Sequence, residues 1–272
     1  MSPIFQFLNL LKIYDTKFNK VRIGPKFDGG YILLDEFIKK KNSLISLGVG
    51  NDVAFDLDFL RKNNCSKAYL FDKTSDIKLP KKRLFFYKKN VSSFSNAKDK
   101  VIGINSLLKR FKKRIILKMD IEGNEWHILQ KIDKSNLSKI SQMVIEFHLI
   151  HIDINKKVLS EKYTPYFTKF YKNNYNSINR DLFQKYFEII KKLNKYFYIF
   201  HIHPNNSIKK INIENFSIPP LLEISFINKN CVRSVRISES KFPIKNLDFP
   251  NKIDRSDIKN FYPFIKNEKK YK

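Results

Sequence analysis

Cysteine is scarce: Cys65 and Cys231 are the two in 272 residues, and without CxxC spacing they exclude a disulfide framework or a thiolate zinc cluster. Glycine is sparse too, seven in all, so individual glycines can be read as punctuation. No apolar run approaches the roughly 18 residues that a membrane span requires. Residues 1–11 lack the basic start and small-residue cleavage site of a secretory leader, so a soluble, cytoplasmic protein is expected. Neither GxxxxGK[ST] nor GxGxxG occurs, which removes the usual phosphate loop of an NTPase and makes NAD a poorer expectation than a nucleoside lacking the pyrophosphate bridge. Acidic residues are the minority charge: 53 Lys and Arg against 26 Asp and Glu give a net +27.

With 42% hydrophobic and 14% aromatic residues, the chain can bury a substantial core, which excludes wholesale disorder. No repeat or composition boundary splits it, so one domain is expected over 1–272. A Lys/Asn-rich stretch at 156–179 reads as an insertion or cap, and an irregular tail begins near residue 241. The lysine clusters 39–41, 81–83 and 112–114 flank apolar runs, where they form solvated faces. A composition rich in Lys, Asn and Ile also follows from an AT-rich coding sequence. Nucleic acid is therefore a minority expectation, whereas a charge of this size favours anionic or nucleotide-linked partners.

Strands and helices alternate along the chain. Ser43-Leu-Ile-Ser-Leu47 reads as a buried strand followed by Gly48 and Gly50, with a helix over 52–62. Lys67-Ala-Tyr-Leu-Phe71 is a second strand ending at Asp72. A third strand is expected over 83–91, a helix over 104–111, and a fourth strand over 114–119 ending in Asp120-Ile-Glu-Gly123. A helix at 125–132, a strand at 143–148, a helix at 180–195 with apolar residues at helical spacing, and late strands at 196–203 and 221–228 complete the pattern. This order predicts a doubly wound, mainly parallel α/β sheet with helices on both faces. A glycine loop after the first strand lets backbone approach a ligand, and a carboxylate after the next is placed to accept from ribose hydroxyls.

Leu117-Lys-Met-Asp-Ile-Glu-Gly-Asn-Glu-Trp126 resembles the signature of the FkbM-like S-adenosylmethionine-dependent methyltransferases. Arg22-Ile-Gly, Asp28-Gly-Gly-Tyr31, Ser46-Leu-Gly-Val-Gly-Asn51, Phe71-Asp72, His201-Ile-His-Pro-Asn-Asn206 and Leu222-Glu-Ile-Ser225 fall around it in the family's order. The resemblance implies a class I methyltransferase fold, Rossmann-like with seven strands, and O-methylation of a sugar, sugar-nucleotide or surface-polysaccharide precursor. It implies that Gly48 and Gly50 border the S-adenosyl-L-methionine pocket, that Asp72 holds the ribose, and that Asp28 and Asp120 serve the cofactor site. The alternatives are an RNA methyltransferase, a basic nucleic-acid-binding protein, or a surface-binding protein that has lost turnover.

Methyl transfer needs near-attack positioning and a base for the hydroxyl proton. His148 is the expected base, with Asp120 and Glu122 at the catalytic edge. Glu146, His201, His203, Asn205 and Asn206 are expected to hydrogen-bond a small-molecule or glycan acceptor. Glu146 with the three histidines also makes a conceivable metal set, but no metal is assigned. Trp126 is expected in the core.

Overall fold

The computed structural model describes residues 2–77, 82–112, 114–149, 180–213, 215–259 and 261. The insertion expected at 156–179 lies outside the described residues. Helix α1 (Pro3–Asn9) precedes a hairpin of β1 (Lys20–Ile23) and β2 (Tyr31–Leu34). Then follow β3 (Ser43–Leu47), α2 (Ala54–Lys62), β4 (Lys67–Phe71), β5 (Leu84–Tyr87), α3 (Ile104–Leu108), β6 (Ile115–Met119), α4 (Glu125–Lys131) and β7 (Ile140–His148). The last part carries α5 (Arg180–Tyr196), β8 (Phe197–Pro204), a small hairpin of β9 (Ile211–Ile213) and β10 (Phe216–Ile218), and β11 (Leu221–Asn228).

Seven strands form one sheet in the order β8-β11-β7-β6-β3-β4-β5. The pairings among β7, β6, β3, β4 and β5 are parallel, and β11 is antiparallel to both β7 and β8. All nine residues of β7 are buried, as expected of a central strand covered on both faces. Ile45, Leu117, Ile145 and Phe147 face the layer built by α1, α3, α4 and α5. The alternate positions Leu44, Ile116 and Val144 face α2 and the β1–β2 hairpin. Period-two alternation thus sorts one set of strands into two cores.

Helix α5 keeps the periodicity expected of it, burying Phe183, Tyr186, Ile189, Ile190 and Leu193. Trp126 lies in the core: it stacks on Tyr186 at 3.8 Å, and its Nε1 donates to the His148 carbonyl at 2.9 Å. On the other face the hairpin is fixed by side chains of the sheet. Gln142 Oε1 accepts from Leu34 N at 2.8 Å and Ser225 Oγ donates to Ile32 O at 2.7 Å.

One expectation needs correcting, and one gains a structural detail. The segment 83–91 is not one strand: β5 ends at Tyr87, and Asn90–Ser92 leaves the sheet to pair with Val101–Gly103. The tail beyond residue 241 has no helix or strand up to residue 259, yet it buries Asp248 and Asn251 against β8 and β11 through side-chain hydrogen bonds.

The Gly48 backbone crosses the end of β6 so closely that a Cβ there would stand 1.7 Å from the Asp120 carbonyl oxygen, at φ +70°. Gly50, at φ +54°, has open space where its Cβ would be. Gly48→Ala should therefore cost about 2–5 kcal/mol, summing left-handed strain and overpacking, against about 1–2 for Gly50→Ala from strain alone. Urea denaturation of the two variants checks this, and equal losses would refute the close approach.

Candidate active site

The carboxyl edge of the sheet carries a row of acids. Asp120 is one residue beyond the last β6–β7 pair, Met119–Ile145, so it neighbours Glu146; Glu146 pairs with Glu223 on β11, and Glu223 with His203 on β8. A register slip between Ile199 and His201 leaves His201 opposite Ser225, on the same face as His203. Gly48 flanks the row at its other end, where Asp120 N donates to Leu47 O. Sequence alternation thus converts four separate strand ends into one line of polar groups.

Each acid has a different partner. Asp120 Oδ2 accepts from the Tyr31 hydroxyl at 3.1 Å. Glu146 Oε1 accepts from Asn205 Nδ2 at 3.2 Å, and Glu223 Oε1 from Asn251 Nδ2 at 2.7 Å. The same Asn251 amide reaches Asp28 Oδ1 at 3.0 Å, bringing this hairpin residue to the edge of the row. Burial pushes Asp120 above the usual carboxylate range. Glu146 is pushed well above it, by burial first and then by Asp120 and Glu223.

The turn between β6 and α4 is shaped by its own acids. Glu122 adopts φ 54° before Gly123 at φ 97°, a left-handed conformation that is uncommon for a non-glycine residue. Fully buried Glu125 Oε1 accepts from Ile121 N at 2.9 Å and Gly123 N at 3.2 Å, holding the turn from within. His148 stands against this turn, with Nε2 3.2 Å from Glu122 and Nδ1 3.3 Å from Glu125. Burial opposes a charged ring, but the two glutamates outweigh it and raise His148 well above an ordinary imidazole.

Asp72 braces the glycine loop: Oδ2 accepts from Val49 N and Gly50 N at 3.1 and 3.0 Å, while Oδ1 takes Thr74 N and Oγ1, both at 2.7 Å, and Ser75 N at 3.2 Å. Burial raises the Asp72 carboxyl, but those bonds outweigh it and hold the group below the usual carboxylate range. Lys118, buried on β6, donates from Nζ to Gly48 O at 2.8 Å and lies 5.5 Å from the Tyr31 ring centroid.

The remaining acceptor candidates are set further along. His201 Nε2 is 2.8 Å from Asp248 Oδ1, and burial lowers this imidazole. His203 is held between Glu223 at Nδ1 and Asp257 at Nε2, both at 3.2 Å. Burial disfavours its charge, yet Asp257 and Glu223 raise it to about 10. Asn206 Nδ2 donates to the carbonyls of Lys252 and Arg255, which ties down the tail. Asp120, Glu146 and His148 each offer one ligand atom, all within 4.8 Å of one another, a set of hard and borderline donors that a divalent cation could bridge.

Sequence alone assigns no role to Tyr31, Lys118, Glu125, Glu223, Asn251 or Asp257. Glu223 carried a signal: it is the one charged residue in the otherwise apolar or neutral run 221–228.

The sheet order, the reversed β11 and a polar site at the carboxyl edge define the class I methyltransferase fold. A family model described as the methyltransferase FkbM domain matches residues 25–200. The chain belongs to the FkbM methyltransferase family and is a methyltransferase. Among solved structures, it is similar to a protein described as an rRNA-methylase from Clostridium thermocellum, at 11% identity over 71% of this chain and 90% of the other, with a TM-score of 0.35. A second is the fibrillarin pre-rRNA processing protein of Methanococcus jannaschii, at 14% identity over 71% of this chain and 68% of the other, with a TM-score of 0.32. No curated protein matches the sequence.

The His203 arrangement has a pH signature. Its raised value means that the stabilisation is complete below the unfolded-state value, about 6.5, and is lost as pH rises through about 10. Between these limits wild type should lose more stability than His203→Gln in parallel urea titrations. Identical slopes would refute the charged bridge.

Proposed function

We propose that this chain is a cytoplasmic S-adenosyl-L-methionine-dependent O-methyltransferase acting on a hydroxyl of a sugar or sugar-nucleotide precursor of a surface polysaccharide. The observation that carries the reading is the carboxylate row Asp120–Glu146–Glu223 beside the glycine loop 48–50. The donor set fits the cofactor's chemistry. Its ribose hydroxyls, ammonium and sulfonium are donors or cations, and the groups around the loop are carboxylates. The open space over Gly50 leaves room for a ligand to lie on the backbone. When bound, the cofactor supplies an electrophilic methyl group on sulfur.

Gly48, Gly50 and Asp72 would hold the nucleoside, with the ribose exchanging for the exposed Thr74 hydroxyl at Asp72 Oδ1. Asp28 and Asp120 would face the amino-acid end. The base for the acceptor hydroxyl moves from His148 to Glu146, because an imidazole flanked by Glu122 and Glu125 holds its proton more tightly, whereas the ionised form of a buried carboxylate with raised proton affinity can take one. His148 then serves as the local cation that stabilises Glu146 and Asp120 when they are ionised. Asn205 orients Glu146 directly, and His203 orients Glu223 beside it.

Calorimetry with S-adenosylhomocysteine tests the cofactor assignment. Asp72→Ala should weaken binding by about 1.5–3 kcal/mol, the worth of hydrogen bonds to a charged group. Glu146→Gln should leave that affinity unchanged and lower methyl transfer to a sugar hydroxyl by about 10²–10⁴-fold. An unchanged rate would remove Glu146 from the reaction.

In this reading the His148 imidazolium occupies the place where a divalent cation would bind. EDTA should therefore leave both binding and turnover unchanged. Loss on chelation and recovery with magnesium would reassign Asp120, Glu146 and His148 as metal ligands.

A further inference from the structure

The acidic row would repel an anion, so the excess of +27 must act away from the reacting hydroxyl. A cleft of about 630 Å³ opens between the β9–β10 hairpin and residues 255–259. Its walls carry Lys209, Lys210, Arg255 and Lys259, with Asn206 and Asp257 among the other lining residues. The volume falls within the roughly 300–1,000 Å³ of small-molecule sites.

This cationic wall is supported from beneath. Asn206, buried at 3% exposure, donates to the carbonyls of Lys252, Arg255 and Ser256 and accepts from Lys252 N at 2.7 Å, fixing the turn that carries Arg255. Arg255 Nη1 donates to Ser207 O at 2.5 Å, which holds the guanidinium beside the hairpin. Asp257, the acid of the cleft, is already engaged by His203 Nε2. Among the described residues Lys209, Lys210 and Lys259 meet no carboxylate. Lys39 and Lys40, by contrast, are paired with Asp35 and Glu36 one helical turn earlier.

A chain of hydrogen bonds links the wall of the cleft to the acidic row. Asp257 bonds His203, His203 bonds Glu223, and Glu223 stands opposite Glu146. A molecule with a neutral polyhydroxyl part and an anionic part matches this division, because phosphate oxygens suit Lys and Arg donors while carboxylates accept from hydroxyls.

We propose that this cleft binds the phosphate of the methyl acceptor: the acceptor is a phosphate-bearing sugar whose hydroxyl reaches Glu146 while its phosphate or diphosphate lies among Lys209, Lys210, Arg255 and Lys259. The position of the hydroxyl rests on the O-methyltransferase reading. The phosphate site rests on the cleft.

The test is calorimetry of the full chain at about 150 mM salt, where long-range attraction to a basic surface is screened, with inorganic pyrophosphate, uridine diphosphate and a ten-nucleotide RNA as probes. Wild type should bind pyrophosphate, and Lys209→Glu with Lys210→Glu should weaken that binding at least about tenfold. Lys39→Glu with Lys40→Glu should leave it unchanged. If charge reversal unfolds the chain, Lys210→Gln with Lys259→Gln should weaken binding in the same direction.

Tighter binding of uridine diphosphate than of pyrophosphate identifies a nucleotide-linked acceptor, and equal binding identifies a simple sugar phosphate. The proposal is overturned if wild type does not bind pyrophosphate, if the cleft variants bind it as wild type does, or if the RNA binds more tightly than uridine diphosphate and the same variants lose it. S-adenosylhomocysteine affinity, measured on the same samples, should be unchanged. Its absence in wild type would sink the methyltransferase chemistry and leave the phosphate result standing.

Discussion

Holding three carboxylates at adjacent strand ends, Glu146 and Glu223 buried and Asp120 half-buried, is the constraint that the rest of the site answers. Neighbouring strands lie about 4.8 Å apart. At an effective dielectric of about 20, two like charges at that distance repel by about 3 kcal/mol, before the cost of leaving water. Every layer of the fold contributes a compensating group to Asp120, Glu146 and Glu223. The hairpin supplies the Tyr31 hydroxyl, β8 supplies His203 and the turn after it Asn205, and the tail supplies Asn251. This demand gives a physical reason for the order of a tail without regular structure: withdrawing Asn251 or Asp257 would leave Glu223 Oε1 or His203 Nε2 without its partner.

The second constraint is backbone proximity. Gly48 can touch the Asp120 carbonyl because it has no Cβ, and two opposed devices hold the contact: Lys118 from below through Gly48 O, and Asp72 from above through Val49 N and Gly50 N. A carboxylate accepting this many bonds is a brace in its own right. Its proposed part in cofactor binding and its part in shaping the loop therefore share the same oxygens. The left-handed Glu122 adds to the picture, since Glu125 satisfies the peptides on either side of it and lets the turn present Glu122 to His148.

Much of the fold was legible because a sheet covered on both faces writes itself as apolar runs. Ser43–Leu47, Lys67–Phe71 and Leu221–Asn228 coincide with the expected segments, and α5 follows its helical period. The first hairpin was less legible: Tyr31–Leu34 is short and buried throughout, so its apolar run does not by itself separate a short strand from a helix entry. At the site, the loop glycines and the acids of the Asp120–Gly123 turn stood out by position. Asn251 and Asp257 did not, because their roles depend on a tail folding back over 28 to 54 positions of sequence, and such contacts leave no local period. The raised proton affinity of His148 was equally hidden: it depends on Glu122 and Glu125 arriving from another element.

The charge distribution reconciles two features that sequence alone set against each other. A net +27 favours polyanions, while the carboxyl edge of the sheet is a line of acids that a phosphodiester backbone would approach only against repulsion. Segregation removes the conflict. Lys209, Lys210, Arg255 and Lys259 line the cleft beside β9 and β10, whereas Asp120, Glu146 and Glu223 stand at the sheet edge with Tyr31, Asn205, Asn251 and His203 as partners. An acceptor that is anionic at one end and neutral at the other would be oriented by this division before any base-specific or sugar-specific contact forms. Orientation of this kind places one hydroxyl near the carboxylates, which is the positional advantage that a displacement at carbon requires.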